Sequence, residues 1–119
     1  MELSPTYQKI EDLAQRSSAL SVHLNLEEKQ GRLEEVLLEM ENPDIWSNPE
    51  QAQALGQEKS KLEFVCQTFI EADAILADAK ELLDMAQSEN DEDTADSVIE
   101  DLNKIESSIA RLEFERMFN

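Results

Sequence analysis

Between Asn48 and Phe118 the apolar positions fall into two long regular series separated by a polar gap. The first is Leu55, Leu62, Phe69, Leu76 and Leu83 at a spacing of seven, with Val65, Ala72, Ala79 and Ala86 three residues after the last four. Large side chains on one seam thereby face small ones on the next. The second is Ala95, Val98, Leu102, Ile105, Ile109 and Leu112, in alternating steps of three and four. A seven-residue apolar repeat held this long specifies helices that pack as a coiled coil rather than strands. The gap, Ser88-Glu89-Asn90-Asp91-Glu92-Asp93, is polar throughout and joins neither seam. A short connection between two amphipathic helices makes them antiparallel neighbours, so the pattern predicts a hairpin with arms at residues 49–88 and 94–117.

The arms are unequal. At 1.5 Å per residue the first spans ~60 Å and the second ~38 Å. Counting back from the turn sets Phe118 opposite Phe64, which leaves Ala52, Leu55 and Leu62 at the root of the first arm without a partner. Residues 1–47 are expected to cover them.

Two shorter amphipathic helices are predicted there. Ser4-Pro5 reads as a helix start, a capping hydroxyl followed by a proline whose missing N–H costs nothing in the first turn. Ile10, Leu13, Leu20 and Leu24 then follow at heptad-like spacing, interrupted by Ser17, giving a helix over residues 5–24. Asn25-Leu26-Glu27-Glu28 has the form of a capping box, and Leu26, Leu33, Val36, Leu37 and Met40 make one face of a helix over residues 26–42. Pro43 stops it. The expected fold is all-α: one domain over residues 1–119, an elongated antiparallel bundle built on a long coiled-coil hairpin, its root covered by two N-terminal helices.

The connector from Asn42 to Glu50 has the most distinctive local chemistry. Its two prolines stiffen it, and Asn48-Pro49-Glu50-Gln51 supplies a cap, a proline and an acidic first turn for the next helix. Trp46, the only tryptophan, is expected to plug the open end of the bundle; an exposed recognition anchor is its other use.

Composition narrows the function. Formal net charge is −18, and from Glu71 to Asp101 twelve carboxylates face a single base, Lys80. Such a surface is repelled by phosphate backbones, so the hairpin tip is expected to meet basic protein or solvent. Any contact with RNA would use bases elsewhere, namely Arg16, Lys29, Arg32, Lys59 or Lys61. No signal peptide, transit peptide or membrane-length apolar run is evident, and one cysteine gives no disulfide framework, so a cytoplasmic location is expected.

No cofactor, metal or catalytic constellation emerges. A calcium loop started at Asp91 puts Asp96 at the glycine position and Leu102 at the closing carboxylate position. His23 is the only histidine and lacks a second ligand for zinc. Cys66 is read as a small buried hydrophobe without neighbours that would activate it. The chain is not expected to be an enzyme.

The connector Pro43-Asp44-Ile45-Trp46, continued by Asn48-Pro49-Glu50-Gln51-Ala52-Gln53-Ala54-Leu55-Gly56-Gln57-Glu58, resembles the amino-terminal domain of bacterial class I peptide chain release factors of the release factor 2 family. Arg32-Leu33-Glu34-Glu35-Val36 and the ending Leu112-Glu113-Phe114-Glu115-Arg116-Met117-Phe118 agree with it. The resemblance covers essentially the whole chain; the tryptophan connector makes it specific, since Leu–Glu–Lys helices match any coiled coil. It implies a part in translation termination as a ribosome-docking module directed at the base of the large-subunit stalk. In that family a Ser-Pro-Phe tripeptide reads the stop codon and a Gly-Gly-Gln loop hydrolyses the ester, both in later domains. Neither motif occurs here, so the resemblance brings no chemistry to these residues. It also implies that Met117 and Phe118 lead into the remaining domains; the alternative is that they fold back on the root near Phe64. A different class stays open, a free-standing acidic coiled-coil adaptor or chaperone-like protein binding basic or apolar partners.

Overall fold

The structure is a computed structural model that describes residues 1–118. Among these it contains four α-helices and one 3-10 turn, and no strand. They are α1 (Ser4–His23), α2 (Leu26–Met40), the turn Pro43–Ser47, α3 (Pro49–Glu89) and α4 (Glu92–Arg116). The radius of gyration is 18.3 Å, against about 13.5 Å for a compact domain of this length. The longest extent is 59 Å, close to the ~61 Å that 41 helical residues span. One helix, α3, therefore sets the length of the molecule.

All six seam residues of α4 are buried, and they close against Phe69, Ala72, Ala79, Leu83 and Ala86 of α3. The turn between the arms is tighter than the polar gap suggests. Asn90 takes the left-handed conformation at φ 54°, the Asp91 N–H donates to the Ala86 carbonyl at 2.8 Å, and the Asn90 N–H donates to that of Gln87. These bonds satisfy the last carbonyls of α3 as in a Schellman motif. Asp91 then caps α4, its carboxylate accepting from the Thr94 N–H at 3.0 Å and from the Thr94 hydroxyl at 2.6 Å. Helical residues thus continue to Glu89 and resume at Glu92.

The two N-terminal helices divide the covering between them. The Tyr7 hydroxyl donates to Asp84 and the Arg32 guanidinium to Glu58, so α1 and then α2 run along α3 from tip to root, both antiparallel to it. The root falls to α2 and the 3-10 turn, where Val36, Ile45, Leu55 and Leu62 form a core of their own with Leu33 and Met40 against it. Higher up, Leu3 and then Ile10, Leu13 and Leu20 of α1 join the α3–α4 core. That half is a three-helix bundle, because the paired arms leave an apolar groove that two helices alone cannot close. The root half has only two helices.

Two N-terminal caps differ from those expected. Leu3, not Ser4, occupies the N-cap of α1, without a side-chain cap bond; it is buried in the core, and the Glu2 carboxylate accepts from the Ser4 N–H at 2.7 Å instead. Asn25 makes no capping box: it is left-handed at φ 51° and its side chain caps nothing. Asparagine tolerates that conformation better than most residues, and it is what lets the chain break between α1 and α2 while both stay on α3. Asn48 does cap α3, accepting from the Gln51 N–H at 3.3 Å. The second helix ends at Met40 rather than near residue 42.

Candidate partner-binding surface

Trp46 does not plug the bundle. Its neighbour Ile45 is 8% exposed and fills the root core, whereas Trp46 is 62% exposed. In a 3-10 turn successive side chains point about 120° apart, so burying Ile45 sends the indole outward. It is a large apolar group on the outside of the connector, as an anchor for another molecule would be.

Four of the five basic candidates separate into two groups. Arg16 and Arg32 are spent within the fold. Arg16 lies across from α4, its Nε and Nη2 reaching the two oxygens of Glu113 at 3.2 and 2.7 Å, with Glu106 and Asp12 on Nη1. Arg32 makes the same two-pronged contact with Glu58 on α3, at 2.7 and 2.8 Å. Bidentate pairs of this kind fix orientation as well as charge. The Glu113 carboxylate raises the Arg16 pKa further above its ordinary value, while Arg32 holds the Glu58 carboxyl below the usual carboxylate range. One arginine ties α1 to α4 and the other ties α2 to α3.

Lys29 and Lys61 belong to the second group. They line a cleft of about 1160 Å³ at the step where the three-helix half gives way to the two-helix half. The step exists because α4 has 25 residues and α3 has 41. Phe64, Val65 and Leu112 contribute the apolar wall. Arg111 and Arg116 bring two more cations, and Glu115 is the one carboxylate among the lining residues. Four of the chain's ten lysines and arginines thus gather at one place on a molecule of net charge −18. Lys59 is half-buried and lies outside the lining of this cleft. The Lys29 ammonium donates to the Leu24 carbonyl at 2.6 Å, closing the end of α1.

Arg111 and Arg116 lie near the C-terminus of α4, where the helix dipole favours positive charge, and nothing in the sequence pattern alone marks their place in this cleft. Arg111 lies 4.0 Å over the ring of Phe64 and pairs with Glu115 at 3.1 Å, a cation–π contact that spacing within one helix cannot reveal. Arg116, Met117 and Phe118 line the same cleft as Ser60, Lys61 and Phe64, so α4 ends near the place that counting from the turn gives. Phe118 stands edge-to-face on Phe114, ring centroids 5.0 Å apart. Phe114, Met117 and Phe118 are nevertheless 61, 74 and 73% exposed, so they border the cleft without closing it.

Elsewhere the surface offers little for chemistry. Cys66 is buried and burial pushes its thiol pKa up, which favours the unreactive protonated form. None of the described helices is long and apolar enough to cross a membrane.

Two comparisons with known proteins bear on this surface. The sequence model of the PCRF domain matches residues 29–119. Peptide chain release factor 2 of Stenotrophomonas maltophilia (strain R551-3) is 47% identical over 119 residues, which is 100% of this chain and 32% of that protein. The chain thus spans about a third of the length of the curated relative it matches.

Proposed function

The chain belongs to the PCRF domain family, and from that premise we propose that it is the amino-terminal, ribosome-docking domain of a peptide chain release factor acting in translation termination. The observation that carries this reading is the match to peptide chain release factor 2 along the whole chain, while two thirds of that protein lies outside it. In this reading decoding and ester hydrolysis belong to the remaining domains, which follow Phe118, and this domain performs no reaction. It offers a rigid helical surface in the cytoplasm, directed at the base of the large-subunit stalk.

Charge supports a protein-facing orientation. With twelve carboxylates between Glu71 and Asp101, the tip is driven away from ribosomal RNA and towards basic protein or solvent. Trp46, exposed at the root end, is a large aromatic that could anchor such a contact without unfolding anything.

Co-sedimentation tests the reading. The 119-residue chain is expected to pellet with intact large subunits and to lose that association when the proteins of the stalk base are removed. Equal binding to stripped and intact subunits removes the stalk base as the partner, and no binding to either removes the docking function.

A further inference from the structure

We propose that the step cleft at the end of α4 binds an acidic peptide segment carrying apolar anchors. The proposal goes beyond the release-factor reading and is argued from described residues of this chain that line the cleft. Its first support is charge. Lys29, Lys61, Arg111 and Arg116 converge on it with Glu115 as the one lining carboxylate, whereas twelve carboxylates share the tip with a single lysine. Its second is exposed apolar surface: Phe114, Met117 and Phe118 border it with more than half of each residue open to water. A concavity with an apolar wall and a cationic rim complements a segment that alternates carboxylates with aliphatic or aromatic side chains.

The same cations could attract nucleic acid, but two features favour peptide. The Arg111 guanidinium already lies over one face of Phe64, and Phe118 presses edge-on against Phe114. Those rings are therefore less open to the base stacking that single-stranded RNA uses, while an aliphatic side chain needs no free ring face. A polyphosphate also carries one charge per nucleotide into the field of a −18 chain, and a peptide with a few carboxylates is repelled less.

The test uses the 119-residue chain and fluorescein-labelled synthetic probes. The first probe is a peptide of about 12 residues with glutamates alternating with leucine and phenylalanine, a period that sets its apolar side chains on one face when the chain is extended. The second has serine in place of the apolar residues, and the third is a uridine oligonucleotide of similar length. Anisotropy is expected to show saturable binding of the first probe alone. The Lys61→Glu, Arg116→Glu double variant is expected to weaken it by about tenfold or more, with amide shifts in 15N spectra centred on residues 60–65 and 111–118. Both substituted side chains are exposed, and unchanged helicity by circular dichroism shows that the variant is folded. Phe114→Ala, also exposed, is expected to weaken the same probe with the charges intact. The proposal is overturned if the first probe does not bind, if the serine probe binds equally well, or if charge reversal leaves the affinity unchanged. Tighter binding of the oligonucleotide, lost on charge reversal, makes nucleic acid the occupant instead.

Discussion

Replacing both glycines with alanine should stabilise this protein. Gly31 and Gly56 are the only two, and they lie inside α2 and α3. A Cβ built at either position meets no atom within 4 Å, and neither residue has positive φ. No steric or conformational reason for glycine exists at either place within this chain. The helix-propensity difference is then undiluted, ~0.8–1.0 kcal/mol per site, and it acts mainly by restricting the unfolded chain. With an unfolding entropy of about 2.1 cal/mol/K per residue, a 119-residue protein gains about 4 °C in Tm per kcal/mol. The double variant should therefore melt ~6–8 °C higher.

Thermal melts followed by circular dichroism, together with urea titrations, measure this directly. Both glycines flank the smaller core around Val36 and Leu55. If that half unfolds first, the lower of two transitions moves and the upper one stays. An unchanged or lower midpoint would refute the reasoning, because it requires a contact or a backbone strain at Gly31 or Gly56 that the structure does not contain. Should the stabilised variant lose a binding activity, the missing methyl groups mark a close approach by a partner.

Three further outcomes are expected. Ile45→Ala should cost ~2–4 kcal/mol as a buried core truncation, and Trp46→Ala no more than ~0.5 kcal/mol as a surface change; paired urea titrations of these neighbours report which of them is structural. Glu106 is held below the ordinary carboxylate range by its contact with Lys9 and then by Arg16, so its ionised form stabilises the fold above the unfolded value near 4.5 and that contribution is lost as pH falls through the depressed folded pKa. Glu106→Gln should accordingly be destabilising at neutral pH and indistinguishable from the parent in strong acid; a gap that persists there would point to a lost contact independent of charge. Raising ionic strength from ~10 mM to ~150 mM should raise Tm, since 28 carboxylates against ten bases repel one another within the fold and the Debye length shrinks to ~8 Å. A falling midpoint would show that the arginine pairs outweigh this repulsion.

The elements that repeat were legible and those that depend on a neighbour were not. Ala95 to Leu112 and Leu55 to Leu83 declare a hairpin because each seam must be dry along its whole length, and the period states which residues face inward. The Asn48 cap was equally plain, since its partner lies three residues away. Asn25 misled because the same side chain suits a cap and a left-handed turn, and the choice between them rests on α2 having to stay on α3. Trp46 misled for a related reason: hydrophobicity says that one of two adjacent residues enters the core, and the geometry of the turn gave that place to Ile45. Arg16, Arg32 and Arg111 were unreadable as a set. Their partners Glu113, Glu58 and Phe64 are 97, 26 and 47 positions away, visible only once the helices are laid side by side.

The unequal arms explain both the stability and the surface. Had α4 run the length of α3, one three-helix core would have extended from tip to root, and the partly buried Phe64 and Val65 would have been sealed between helices. Instead α4 stops at Arg116, and the root must be held by α2, a short core and the single arginine fork between Arg32 and Glu58. The place where one packing scheme ends and the other begins cannot be filled by either. Cations collect there from three helices: Lys29 near the start of α2, Lys61 on α3, and Arg111 with Arg116 in the last turns of α4, where the helix dipole favours positive charge. A step in helix length has thereby become a concave, cationic and partly apolar surface on an otherwise acidic rod. Lengthening α4 by two turns of alanine-rich helix would cover it, and the same change should strengthen the root while abolishing whatever the cleft receives.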